Sequence, residues 1–173
     1  MIRLPRYTKA AGDQGSQVTL TCFIRTEPGP KVGWLKDGQI IQLPEGQPHP
    51  KYQVGLIHVR PGLYRATLVL NNVQKTDFGK YQCQAVNLQG EATLDIQMSG
   101  TSTPDVPLNL RLLNATMNTL RVAWTQGFDG GLSQTFQVRW RQVEAGSMYR
   151  YADVAANDNH NAVEYLITGA QVH

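Results

Sequence analysis

The chain has two cysteines, Cys22 and Cys83, and a tryptophan, Trp34, stands between them. Each of these residues falls in a run where apolar and polar side chains alternate, which is typical of a β-strand with one buried face. The second cysteine ends the segment DFGKYQC at residues 77–83, so Tyr81 lies two positions before it on the same face. Inward side chains on separate strands predict two packed sheets, so the expected fold class is all-β, an antiparallel β-sandwich.

Other runs with the same two-residue period extend over the first part of the chain. The predicted inward residues are Val18, Leu20, Cys22, Ile24, Val32, Trp34, Ala66, Leu68, Leu70, Tyr81, Cys83, Ala85, Ala92, Leu94, Ile96 and Met98. Turn-forming pairs such as Asp37-Gly38 and Pro61-Gly62 separate the runs. No long stretch keeps a helical period, so a fold built of strands and turns is expected throughout.

Size and composition limit the class of protein. A length of 173 residues suits two domains better than one small sandwich. The net charge is +3 without a block of like charges, so nucleic acid is not an expected partner. No apolar run approaches the roughly 20 residues that span a bilayer, and the N-terminus lacks a signal-peptide core. If the protein is extracellular, we therefore expect either that this chain is a piece of a longer one or that its signal peptide is missing.

Four segments of the first half form a recognisable set: QVTLTC at 17–22, WLKDG at 34–38, LVLNNV at 68–73 and DFGKYQCQAVN at 77–87. With these segments the first half resembles the immunoglobulin superfamily and, within it, the I-set. We expect such a domain over residues 1–98. One departure from the family pattern is the stretch 43–50, which is rich in Pro, Gly and Gln and predicts a lengthened loop.

The resemblance implies roles for four residues. Cys22 and Cys83 would form a disulfide between facing sheets, Trp34 would pack beside it, and the Tyr81 hydroxyl would bond back to upstream backbone as a tyrosine corner. In the chain-entropy account a loop of this length contributes about 4 kcal/mol when closed, and a disulfide implies an oxidising compartment. The cysteine count alone leaves two free thiols in a cytosolic protein as the alternative.

The second half begins after a linker predicted at residues 99–106, where small, polar and proline residues dominate. Its predicted inward residues are Leu108, Leu110, Leu112, Leu120, Val122, Trp124, Phe136, Val138, Trp140, Tyr165 and Ile167. Among these, Trp124 is singled out as a predicted core residue. The segments are PLNL at 107–110, LRVAW at 120–124, FQVRW at 136–140 and YLITG at 165–169. Together they resemble a fibronectin type III domain.

The segments GFDGG at 127–131 and QTFQVR at 134–139 are similar to this module in nephrin-like and echinoid-like adhesion proteins. The family pattern continues with two more strands, which residues 170–173 do not supply. We therefore expect residues 107–173 to be a partial domain lacking its last two strands. The missing strands would leave one core face exposed and strand edges open.

Residues that could support catalysis or metal binding do not group. The histidines His49, His58, His160 and His173 have no zinc-ligand spacing with cysteines or carboxylates. The glycine-rich segment 127–131 lacks the Lys-Ser/Thr of a phosphate loop and predicts a turn. We expect no cofactor, no metal and no enzyme activity in this chain.

The outward positions of the middle strands in the first domain are the candidate interaction surface. They are Gly33, Leu35, Gln39, Ile41, Gln82, Gln84 and Val86. Glutamine mixed with apolar residues can be buried without isolating a charge, and immunoglobulin-like adhesion domains, which this half resembles, often pair through this sheet. An ordinary solvated sheet is the alternative.

Two further sites are predicted in the second half. Asn114 begins the triplet Asn-Ala-Thr, an acceptor for N-glycosylation in the secretory pathway. Arg139 and Arg141 point to one side of a predicted strand, with Arg121 and Arg150 expected nearby. Such a cluster could bind a sulfated glycan through charge, and a normal basic sheet surface is the alternative.

These modules predict an ectodomain fragment of a single-pass adhesion or recognition protein, whose partners are cell-surface proteins bound homophilically or heterophilically. Two alternatives stay open. In an intracellular muscle scaffold, Cys22 and Cys83 would be reduced, which a mass measurement before and after reduction would show. In the ectodomain of a receptor phosphatase or kinase, the binding chemistry would be the same, and these residues do not distinguish that parent from an adhesion protein.

The partial second domain generates a stability prediction. Limited proteolysis of the purified chain should degrade residues 107–173 and leave the bridged first domain intact, because only the first domain has a complete predicted core. Mass spectrometry of the fragments measures the outcome. Survival of an intact C-terminal half after cleavage in the linker would contradict the expectation.

Overall fold

The computed structural model describes residues 2–3, 8–44, 48–143, 146–157 and 162–169. The described chain is built of β-strands, with one short 3-10 helix at Lys75–Asp77. In chain order the strands are β1 (Ile2–Arg3), β2 (Lys9–Ala11), β3 (Val18–Arg25), β4 (Lys31–Lys36), β5 (Gln39–Ile40), β6 (Tyr52–Arg60), β7 (Leu63–Leu70), β8 (Gly79–Asn87), β9 (Gly90–Ser99), β10 (Leu108–Ala115), β11 (Thr119–Thr125), β12 (Thr135–Trp140), β13 (Arg150–Ala155) and β14 (Ala162–Thr168).

The chain separates into two compact units, Met1–Ser102 and Thr103–His173. This boundary falls inside the stretch 99–106. Within the described residues no helix has the length and apolar character that crossing a membrane requires.

The first unit consists of two sheets, with strand orders β1-β3-β7-β6 and β2-β9-β8-β4-β5. All the pairs in these sheets are antiparallel except β2 with β9, which is parallel. Burial alternates along β3 and β8, so each strand has one side on the core. The buried core residues are Val18, Leu20, Cys22, Ile24, Trp34, Ala66, Leu68, Leu70, Val73, Tyr81, Cys83, Ala85, Leu94, Ile96 and Met98. The predicted β-sandwich is confirmed.

A disulfide joins the two sheets at the centre of this core. Cys22 on β3 is bonded to Cys83 on β8, with 6.4 Å between their Cα atoms. Trp34 pairs directly with Cys83 across β4 and β8 and is 3% exposed. The indole therefore lies beside the bridge, and the cysteines and the tryptophan belong to one buried cluster.

Tyr81 connects β8 to the turn that precedes it. Its hydroxyl donates a hydrogen bond of 2.8 Å to the backbone oxygen of Asp77, and its side chain is fully buried. The Asp77 carboxylate accepts from the Gln74 N–H at 2.6 Å and from the Lys51 ammonium. Burial of the phenol raises the pKa of Tyr81 most, and the electrostatic effects of the neighbouring Tyr52 and Asp77 raise it further. The phenol therefore stays neutral and serves as a hydrogen-bond donor.

The second unit has a three-stranded sheet, β10-β11-β14, and a two-stranded sheet, β12-β13. Trp124 of β11 is buried and meets Phe136 of β12 edge-on at 5.4 Å between ring centres. The buried apolar side chains of this unit are Ala123, Trp124, Phe128, Val163 and Ile167. This core is much smaller than that of the first unit.

Strand β10 departs from the expectation for the second half. Leu108, Leu110 and Leu112 are 61%, 75% and 56% exposed, and register shifts on either side of Arg111 and Leu112 break the two-residue period of the strand. The predicted inward placement of these leucines is therefore wrong. Strand β10 is a sheet edge that pairs with β11 alone among the described strands, and every residue along it is exposed.

The loop predicted at 43–50 lies between β5 and β6. Residues 41–44 and 48–51 belong to no strand or helix. Residues 45–47 lie outside the described residues.

The tyrosine corner generates a prediction. Replacement of Tyr81 by Phe should lower the free energy of unfolding of the first unit by about 1–3 kcal/mol, because the buried Asp77 oxygen loses its donor. Denaturant unfolding measures the effect. The matched control is Tyr151→Phe, whose ring is 56% exposed and which should change stability by less than about 0.5 kcal/mol. Equal effects of the two substitutions would show that the hydroxyl of Tyr81 contributes nothing particular.

Candidate interaction face of the first unit

The outer side of β4 and β8 carries five of the residues predicted for the interaction surface. Gly33 and Leu35 alternate with the buried Trp34 on β4. Gln82, Gln84 and Val86 alternate with Cys83 and Ala85 on β8. The register places Gly33 opposite Gln84 and Leu35 opposite Gln82, so side chains from both strands meet on one surface.

The predicted outward placement of Gln39 and Ile41 is wrong. Their outward placement assumes that the odd-numbered positions of β4 remain outward beyond the turn Asp37-Gly38. Both turn residues have positive φ, 48° and 83°, as in a two-residue hairpin loop, and this loop sets Lys36 opposite Gln39. Facing residues share a side of the sheet, so the odd and even positions exchange after the turn.

Ile40 is the residue that takes the outer position. It pairs with Leu35 and is 66% exposed. Ile41 packs against the buried core instead. We therefore define the β4–β8 face as the outward residues Gly33, Leu35, Ile40, Gln82, Gln84 and Val86.

Carboxylates border this face and are matched by donors. The Gln82 amide donates to Asp95 Oδ1 at 2.8 Å, and the Gln84 amide donates to Glu91 Oε1 at 2.6 Å. Lys80 forms an ion pair of 2.6 Å with Asp95 Oδ2. The bonds from Lys80 and Gln82 hold the pKa of the Asp95 carboxyl below its usual value. The acidic groups thus lie along β9, and the exposed Lys31 lies at the end of the face, opposite Val86.

Gly33 lies opposite Gln84 on the β4–β8 face. A Cβ atom at this position would find Gln84 Oε1, at 3.7 Å, as its sole neighbour within 4 Å. Packing within the unit therefore does not require glycine here. Apolar side chains mixed with neutral amides, with charged groups at the border, are a composition found at protein–protein interfaces.

The predicted arginine cluster is only partly assembled. Arg139 and Arg141 stack on the ring of Tyr149, with 4.4 and 4.9 Å from guanidinium carbon to ring centre. Arg121 lies in the other sheet of the second unit, with 4.0 Å between its guanidinium and the Glu164 carboxylate. Arg150 pairs with Trp140, whereas Arg139 pairs with Tyr151. Because neighbouring residues of a strand point to opposite sides of the sheet, Arg150 points away from the side of Arg139.

Asn114 is exposed near the end of β10. Thr116, which completes its triplet, is also exposed, and its hydroxyl accepts the backbone N–H of Thr119 at 3.1 Å. Glycosylation of Asn114 stays a prediction. Among the described residues no group of three or more His, Cys, Asp or Glu side chains could hold a metal ion. The predicted positions His160 and His173 lie outside the described residues.

Comparisons with known proteins agree with this fold. The family described as an immunoglobulin domain matches residues 2–87. Mouse nephrin is 34% identical over 163 residues, which is 92% of this chain and 12% of nephrin. Human protein turtle homolog B is 27% identical over 136 residues, 78% of this chain and 9% of that protein. Neural cell adhesion molecule 1-B of Xenopus laevis is 26% identical over 132 residues, 75% of this chain and 11% of that protein.

A solved structure of Dpr2 Ig1-Ig2 in complex with DIP-Theta Ig1-Ig3 matches 58% of this chain and 32% of that chain, with a TM-score of 0.51 and 22% identity. This likeness concerns the fold alone. The chain spans about a tenth of the length of the curated relatives it matches. With the disulfide-bonded sandwich and the sequence relatives together, the chain belongs to the immunoglobulin superfamily and is similar to its adhesion proteins.

Proposed function

We propose that this chain is part of the ectodomain of a cell-surface adhesion protein and binds other cell-surface proteins through the β4–β8 face. The observation that carries the proposal is that the neighbouring outward positions of β4, β5 and β8 are uncharged between Lys31 at one end and the ion-paired Lys80 at the other, while the carboxylates are matched along β9. Such a surface can be desolvated without isolating a charge. The binding is non-covalent and involves no catalytic step.

The relatives support an adhesion role for the parent protein. Nephrin, protein turtle homolog B and a neural cell adhesion molecule each match most of this chain. Weak contacts can support adhesion when many copies are present on apposed surfaces. Once one pair has bound, the neighbouring pairs are held at a high effective concentration. The proposal includes a membrane-anchored parent, glycosylation at Asn114 and a second unit of the fibronectin type III class.

The disulfide between Cys22 and Cys83 favours the secretory pathway over the intracellular muscle scaffold. Cytosolic thiols are kept reduced, so a scaffold domain would hold these cysteines as thiols. A parent that carries a phosphatase or kinase domain would use this ectodomain piece in the same way. The proposal for the β4–β8 face therefore holds for either kind of extracellular parent.

The β4–β8 face generates a binding prediction. Beads densely coated with the chain should adhere to cells or to one another, and Leu35→Lys should reduce adhesion about tenfold or more, because a buried interface residue of this kind contributes on the order of 1–2 kcal/mol per contact. Flow cytometry counts cell-bound beads and bead clusters.

Two controls accompany this experiment. Val106→Lys, at a position 76% exposed in the second unit, should retain binding, and so should Thr19→Lys, which adds the same charge at an exposed position of β3 in the facing sheet. Thermal unfolding confirms that each variant is folded. If Leu35→Lys and Val106→Lys adhere equally, the β4–β8 face is not the binding surface.

We also propose the Arg139–Tyr149–Arg141 stack as a contact for sulfated glycans. A ring that holds two guanidinium groups side by side fixes their orientation, and a fixed guanidinium loses less entropy when it binds an oxyanion. In the part of the chain that the structure describes, no carboxylate lies within 4 Å of either guanidinium.

Heparin chromatography tests the arginine stack. The double substitution Arg139→Gln and Arg141→Gln should elute at lower salt than the unsubstituted chain, because two positive charges are lost from the contact. The matched control, Arg121→Gln with Arg150→Gln, removes the same charge from outside the stack and should shift elution less. Equal shifts in the two double variants would mean that net charge alone determines retention.

A further inference from the structure

Strand β6 is a long sheet edge that the two proposed contacts do not use. It has nine residues, Tyr52–Arg60, and pairs with β7 on one side. In the described parts of the chain no strand pairs with its other side. An unpaired edge presents a row of backbone N–H and C=O groups, which can accept another strand.

Both sides of β6 expose apolar side chains. Val54 and Leu56 are 54% and 46% exposed on the side that pairs with Leu68 and Ala66 of β7. Ile57, on the other side, is 49% exposed, and so is Val59, which falls at the register shift between His58 and Arg60. A strand that paired with the free edge of β6 would contact the apolar side chains on both sides of the sheet at once. Burial of those side chains would stabilise the pairing.

The other sheet edges of the described chain are protected from pairing. The edge strands β1, β2 and β5 have two or three residues each. The longer ones carry charges within them, as in Arg111 of β10, Glu164 of β14 and Arg139 of β12. Inward or flanking charges and short length are the usual devices that keep sheet edges apart.

Strand β6 lacks these devices along its first eight residues, since its formally charged residue, Arg60, is at its end. A register shift between His58 and Arg60 also falls at that end. The His58 ring stacks on Tyr64 of β7 at 4.8 Å between ring centres, so it turns back onto its own sheet. From Tyr52 to Val59 the edge is therefore open to another strand.

We propose that β6 pairs with the β6 strand of a second copy of this chain, antiparallel and about a two-fold axis near Leu56. Two-fold pairing satisfies both open edges with one set of backbone hydrogen bonds. It sets Val54 of each copy near His58 of the other, and Arg60 near Tyr52. The two Arg60 side chains lie at opposite ends, roughly 27 Å apart along the ladder, so their repulsion is screened.

This pairing uses the edge of the sheet β1-β3-β7-β6, whereas the β4–β8 face belongs to the facing sheet. The inference is therefore independent of the proposed function, and each can fail without the other. A strand-edge contact is small, so the pairing is expected to be weak in solution and to strengthen where copies are concentrated on a surface.

Sedimentation equilibrium of the purified chain over a wide concentration range tests the proposal. The chain should be in reversible exchange between monomer and dimer, and Ile57→Lys should leave it monomeric, because each dimer would bring two new charges to the ladder. The matched control Ile40→Lys makes the same substitution on the β4–β8 face and should still dimerise. A second control, Leu110→Lys, should also dimerise, which excludes association through the exposed leucines of β10.

Hydrogen exchange gives a readout that does not depend on a variant. Alternate β6 amides should become more protected as the concentration rises, while the exposed turn at Leu88 should not change. A chain that stays monomeric at all concentrations would overturn the proposal. A dimer that forms without new protection of the β6 amides would also overturn the proposal. A dimer that Leu110→Lys abolishes and Ile57→Lys leaves unchanged would overturn it as well.

Discussion

The bond between Cys22 and Cys83 is the contact on which the first unit depends. It links β3 and β8, the central strands of the two sheets, and Trp34 and Tyr81 fill the space beside it. These side chains fix which sides of β4 and β8 face inward. The alternating residues of the same strands must then face outward, so the core determines the position of the β4–β8 face.

The second unit contains no cysteine, so no disulfide joins its sheets. Its core rests on Trp124 and the residues around it, and every residue of β10 is exposed. Burial of apolar area is the main favourable term in folding. We therefore assign most of the stability of this chain to the first unit.

The strands of the first unit differ in how well their sequence predicts them. β3 and β8 have one buried and one exposed side, so their residues alternate and their faces are predicted correctly. β6 is absent from the prediction because YQVGLIHVR is apolar on both sides and has no two-residue period. A strand whose two sides are similarly exposed leaves no alternation to detect.

The interaction face shows the same limit at single residues. Five of its members follow from the alternation along β4 and β8, but Gln39 and Ile41 were assigned to the wrong side and Ile40 was missed. The signal for the exchange was the pair Asp37-Gly38, which favours a two-residue hairpin loop and thereby reverses the parity of the residues that follow.

By itself the sequence determined the all-β class, because alternation along a strand is a local two-residue period. It also determined the resemblance to the immunoglobulin superfamily, which depends on the short segments around Cys22, Trp34 and Cys83. Only the tertiary structure decided which residues share the β4–β8 face, which arginines stack on Tyr149 and that β6 is an open edge. Pairing partners and edges are relations between distant segments, and the periodicity of one segment does not contain them.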